Sequence, residues 1–105
     1  MSPMTPLHNA ARGEAVLSVD GEPRRLCLTL GALAELEAAF DCSSLEALGE
    51  RLAQLGPNDL LVVIAALMSG GGTPITPAAL AKAHIEPREA ATAVALAFRR
   101  ALDDA

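Results

Sequence analysis

The chain has 105 residues, 51% of them hydrophobic and only 2% aromatic, with a formal net charge of −5. A chain of this length makes about one domain, large enough to bury a core without disulfides or metal. The acidic balance excludes the basic face that phosphate contacts need, and two phenylalanines with no tryptophan or tyrosine leave no base-stacking platform, so no nucleic-acid partner is expected.

Twenty-two alanines and seventeen leucines, both strong helix formers, predict a mostly helical chain. Residues 1–13 are polar and carry Pro3 and Pro6, and are expected to form a disordered arm before a single globular domain over 14–105. The opening residues have neither a basic nor an apolar signal-peptide region, so a cytoplasmic protein is expected. A hairpin is predicted over 14–30. Ala15, Leu17 and Val19 alternate with Glu14, Val16 and Ser18, and Leu26, Leu28 and Leu30 alternate with Arg25, Cys27 and Thr29. Asp20-Gly21-Glu22-Pro23 between them is turn chemistry. Two strands alone are marginal in water, so the apolar face must lie on a helix.

About five short helices are predicted over 31–103. Leu33, Leu36 and Phe40 fall on one helical face, with Thr29 or Gly31 as the start and Asp41-Cys42-Ser43 as the interruption. Ser44 is placed as the N-cap of a second helix, whose stripe is Leu45, Leu48, Leu52 and Leu55 and which Gly56-Pro57 ends. Asn58 or Asp59 is expected to cap a third element, Leu60 to Met68, apolar on every side. Periodicity does not separate a buried helix from a buried strand here; Ala65, Ala66, Leu67 and Met68 favour helix, and the all-round apolarity then makes it a central one covered by the others. This nine-residue run is the longest unbroken apolar stretch, well short of the roughly 20 residues that span a membrane, so no membrane partner is expected. Ser69 and three glycines stop this helix and are expected to make a flexible connection. Thr76-Pro77 opens a short helix to Ala83, and Pro87 opens the last, where Ala91, Val94, Ala95, Phe98 and Leu102 share a face. The predicted class is α+β, mostly α: a hairpin packed on a compact bundle of short helices.

The charge is unevenly placed. Residues 35–59 hold Glu35, Glu37, Asp41, Glu46, Glu50 and Asp59 against Arg51 alone, and the rest of the chain balances. Two readings remain open, a solvated helical face or a surface for a basic partner.

Candidate chemistry is sparse. Catalysis needs a nucleophile, an acid or base, and a group that orients them. His8 lies in the arm and His84 at a helix end, where capping of carbonyls is the expected role. Cys27 and Cys42 are read as reduced, a single bridge between them being the alternative. No C-x-x-C, H-E-x-x-H or EF-hand spacing occurs, and Thr73-Pro74 follows the glycine run where a P-loop requires Gly-Lys-Ser/Thr. Glu35 and Glu37, two apart, face different sides of a helix. No enzyme, no cofactor and no metal site is expected.

The order of elements carries a resemblance. Arg25-Leu26-Cys27-Leu28-Thr29-Leu30-Gly31-Ala32-Leu33-Ala34-Glu35-Leu36-Glu37 is preceded by Arg12-Gly13-Glu14 and Asp20-Gly21-Glu22. It is followed by Ser44-Leu45-Glu46-Ala47-Leu48, Glu50-Arg51-Leu52, Asp59-Leu60-Leu61 and the glycine break. This pattern resembles the small tail protein of gene transfer agents, phage-like particles encoded in alphaproteobacterial genomes, a family sometimes labelled phage tail tube protein and similar in size to the tail assembly chaperones of long-tailed phages. The resemblance covers residues 12 to about 84, and the segment Leu28 to Glu37 is its specific part. It implies a non-enzymatic tail assembly protein, a chaperone for the tape measure or tail tube protein, with no catalytic residue to carry over. A structural subunit of the tail is the first alternative and a small regulatory protein-binding module the second. Under the chaperone reading Leu45, Leu48, Leu52 and Leu55, with Glu46 and Glu50 beside them, are the candidate interaction residues; under the plain reading the leucines are core. A homo-oligomer and incorporation in a phage-like particle are further expectations.

Overall fold

The structure is a computed structural model that describes residues 14–103; the arm expected over 1–13 lies outside the described residues. Strand β1 (Glu14–Val19) pairs antiparallel with β2 (Glu22–Cys27), and five helices follow: α1 (Leu30–Phe40), α2 (Leu45–Leu52), α3 (Pro57–Gly70), α4 (Pro77–Leu80) and α5 (Pro87–Asp103). The class is α+β and mostly α, as the sequence predicts.

Two residues, Asp20 and Gly21, make the hairpin turn, both at positive φ (55° and 82°), the pattern of a type I′ connection whose twist suits the strands. Pro23, expected in the turn, is the second residue of β2 and stands opposite Ser18. With Val19 and Glu22 closing the hairpin as a hydrogen-bonded pair, position 23 is non-hydrogen-bonded, so its missing N–H faces away from β1 and costs nothing in the ladder. Ala15, Leu17, Val19, Leu26 and Leu28 are buried, which is the expected apolar face. Leu30 is not part of it. The ladder ends at Cys27, the Thr29 hydroxyl accepts from the Ala32 N–H at 3.0 Å as an N-cap, and Leu30 on the first turn of α1 is 83% exposed.

Helix α1 ends in a Schellman arrangement. Asp41 sits in the left-handed region, the Cys42 N–H donates to the Glu37 carbonyl at 2.9 Å, and the Asp41 N–H donates to Ala38 at 3.4 Å. Ser44 caps α2 as predicted, accepting from the Ala47 N–H at 3.1 Å. The Gly56-Pro57 boundary differs from expectation. Gly56 is the N-cap of α3, Pro57 its first helical residue, and the Asp59 carboxylate receives the Gly56 N–H at 3.5 Å from the N3 position. A proline that stops one helix is also pre-set in φ to open the next, which places both events at one residue.

Helix α3 is the centre. Val63 to Met68 are six consecutive buried residues, so every side of the helix is covered, by β2, α1, α4 and α5. Its glycine end, expected to be a flexible connection, is packed at Gly70 and Gly71, while Gly72 stands in open space. Gly70 belongs to α3, and a Cβ added at Gly70 or Gly71 would collide with the backbone carbonyl of Cys27 or Arg25 respectively. Arg25 and Cys27 occupy non-hydrogen-bonded positions, so these carbonyls point away from β1 along the outer edge of β2. The glycines therefore let α3 lie directly on that edge. The other end of the hairpin is clasped by a reciprocal pair: the His84 N–H donates to the Asp20 carboxylate at 2.7 Å, and the Asp20 N–H donates to the His84 carbonyl at 2.9 Å. The backbone of His84 performs this contact, in place of the carbonyl capping expected of its ring. Along β1, Arg100 of α5 donates to the Glu14 carbonyl at 2.8 Å.

Candidate protein-interaction surface

Helix α2 lies at the margin of the core, with α1 as its main neighbour. One of its leucines, Leu48, is 1% exposed and joins the buried cluster. Leu52 packs against that cluster from its edge. A polar attachment runs through Arg51, whose guanidinium stands 4.9 Å from the centre of the Phe40 ring at the end of α1 and donates to the Asp59 carboxylate at 2.8 Å in the first turn of α3. A charge placed over an aromatic face and paired at its tip is held at both ends. This also accounts for the one cation within the acidic stretch 35–59: it is used internally, pairing with Asp59.

The helix proper stops at Leu52, where the Ala53 and Gln54 N–H groups tighten into the last turn, and Leu55 follows in the connection. Leu52 and Leu55 nevertheless stay on the same side. They form one wall of an open groove of about 550 Å³, with Gly49, Ala53 and Leu60 beside them and Ala91, Val94, Ala95, Phe98 and Leu102 of α5 as the opposite wall. Ala91, Ala95 and Leu102 are exposed, while Leu52, Leu55, Leu60 and Phe98 are half-buried. The helical face that the sequence marks on α5 is thus only partly used by the core: Val94 of that face is buried, together with Ala90, Ala93 and Ala97 one step round the helix.

The six candidate residues accordingly separate. Leu52 and Leu55 line the groove, Leu48 stands behind it in the core, and Leu45 is 54% exposed and outside the groove lining. Glu46 and Glu50 are exposed, three residues before Gly49 and Ala53, so they stand along the groove's α2 rim. On α5, exposed Arg88 and Arg99 lie three residues before Ala91 and Leu102 and make the opposite rim. No described ion pair uses any of these four. The sequence missed the α5 half of this surface, although its signal, Ala91-Val94-Ala95-Phe98-Leu102 at helical spacing, was plain; the spacing is the same for a face that is buried and one that is open.

Among the described residues no three of His, Cys, Asp and Glu are placed to share a metal ion. Cys27 and Cys42 are free thiols. Burial, helped by the neighbouring Glu14 carboxylate, pushes the Cys27 thiol above its ordinary value, which makes it a poorer nucleophile at neutral pH. Among the described residues no helix is long and apolar enough to cross a membrane.

The family model described as phage tail tube protein, GTA-gp10, matches residues 12–104. The chain belongs to this family. Membership places it among the tail proteins of gene transfer agents and covers the whole of the hairpin and all five helices. Neither the curated proteins nor the solved structures contain a significant match to it.

Proposed function

We propose that this gene transfer agent tail protein is a non-enzymatic assembly chaperone whose α2–α5 groove holds a helical segment of the tape measure protein, the tail tube protein being the other candidate client. The observation that supports this reading is the groove itself. An open apolar trough between two helices, rimmed by charge, is the kind of surface that receives the apolar face of an amphipathic helix. A long helical partner with apolar stripes needs such cover until it is packed inside a tube. The acidic α2 rim and the basic α5 rim then select a helix with cations along one side of its stripe and anions along the other.

The second reading, a structural subunit of the tail, has the family description in its favour. A ring built on continuous sheet needs two free strand edges in every subunit. Here the described sheet has two strands, and α3 covers the outer edge of β2 through Gly70 and Gly71. That geometry favours the chaperone reading.

Co-expression with fragments tiling the tape measure protein, followed by co-purification, tests the client; retention of at least one helical fragment is expected. Quantitative mass spectrometry of purified particles tests the role. Few or no copies per particle agree with a chaperone, whereas a copy number equal to that of the tube protein contradicts it.

A further inference from the structure

We propose that the α2–α5 groove is self-complementary and that, in the free protein, it is covered by a second copy of this chain. The inference does not rest on the tail-client reading, because it concerns what the protein does alone. Two observations carry it. First, the groove exposes apolar side chains on both walls, Ala91, Ala95 and Leu102 on α5 and Ala53 on α2, beside half-buried Leu52 and Leu55 on one wall and half-buried Phe98 on the other. Second, the rims differ in sign. Glu46 and Glu50 run along the α2 side, Arg88 and Arg99 along the α5 side, and no described ion pair within the chain uses them.

Opposite rims have a definite geometric consequence. When two copies face each other across a two-fold axis that runs along the groove, each acidic rim lies over the partner's basic rim and the apolar walls meet between them. A two-fold axis across the groove would set acid over acid and base over base. A closed dimer of this kind uses the same patch twice, which an isologous interface requires. The contact is small. Helix α5 has 17 residues and so is about 25 Å long, and a strip two helices wide, roughly 20 Å, offers on the order of 500 Å² per copy. That lies at the low end for specific interfaces, so the dimer should be weak and in rapid exchange. Weakness suits a cover that a client must displace.

The rims provide a test that leaves the fold alone, since all four charged side chains are exposed. Sedimentation equilibrium of the full chain, from about 10 μM to 1 mM to span weak association, should show the mass rising from 10.8 kDa towards twice that value. Higher salt should lower the association, because rim pairs are screened. The double variant Glu46→Arg/Glu50→Arg has two basic rims, and Arg88→Glu/Arg99→Glu has two acidic ones. Each alone should stay monomeric at concentrations where the parent associates, with unchanged circular dichroism, and an equimolar mixture of the two should form a heterodimer. A parent chain that is monomeric throughout the range would overturn the proposal. So would variants that still self-associate, or a mixture that does not pair.

Discussion

The seam between β2 and α3 and the groove between α2 and α5 are both meetings of two neighbouring elements, and they finish differently. At the seam, glycine removes the side chains from one surface, so helix backbone rests on strand edge with no room between them. At the groove, alanine and leucine remain on both walls, yet the walls stand apart and leave about 550 Å³ open. The seam closes an edge that could otherwise pair with another chain. The groove leaves an apolar surface accessible and marks its borders with charge. One contact fixes the fold, and the other leaves apolar surface free to be used.

The largest expected effect comes from filling the seam. Gly71→Ala introduces a Cβ against the Arg25 carbonyl, a backbone atom that cannot step aside, so β2 and α3 must separate. A loss of about 3 kcal/mol or more in urea or thermal unfolding is expected, at the upper end of overpacking costs. A variant as stable as the parent would show that the seam is loose. Next come the leucines of α2, which divide across the comparison. Leu48→Ala, in the core, should cost about 2–4 kcal/mol, and Leu52→Ala, on the groove wall, clearly less. Equal losses would mean that the groove is closed in solution and that both leucines are core.

A smaller effect is expected at Arg51, which ties α2 to Phe40 and Asp59. Arg51→Ala should lower stability by about 1–2 kcal/mol and speed hydrogen exchange in α2 before any other helix. Uniform acceleration throughout the chain would contradict a local role.

The smallest expected effect is at Cys27, beside the seam. Its raised pKa means that the folded state holds the thiol proton more tightly than the unfolded state does. Its contribution is therefore complete below the unfolded value and is lost as pH rises through the higher folded one. Stability of the parent should decline from about pH 9 upward by more than that of Cys27→Ala, as read by urea unfolding at fixed salt. Parallel declines would remove Cys27 as a source.

Much of the local chemistry was legible in the sequence. The stretch Asp20 to Pro23 contained the two-residue turn, Thr29 (read beside Gly31), Ser44 and Thr76 are the caps, and the all-round apolarity of Leu60 to Met68 marked the central helix, whereas the cap expected at Asn58 or Asp59 is Gly56. What depends on a distant neighbour was not. The glycine run reads as a flexible connection until Arg25 and Cys27 are seen against it, and Gly56-Pro57 reads as a stop until α3 is seen to start there. The groove lies between these cases. Both of its faces were visible as helical stripes, and their failure to close on each other is a matter of how α2 sits on α1, which no stripe records.

One measurement addresses directly whether the α2–α5 groove is a binding surface. Ala95→Asp and Leu102→Asp place a charge on exposed positions of the α5 wall, and Leu30→Asp places one on an exposed leucine outside it. Binding of each to a tape measure fragment that co-purifies with the parent, measured by calorimetry alongside a thermal melt, should fall at least tenfold for the two groove variants and stay unchanged for Leu30→Asp, with all three melting like the parent. Groove variants that bind the fragment as tightly as the parent would contradict the account.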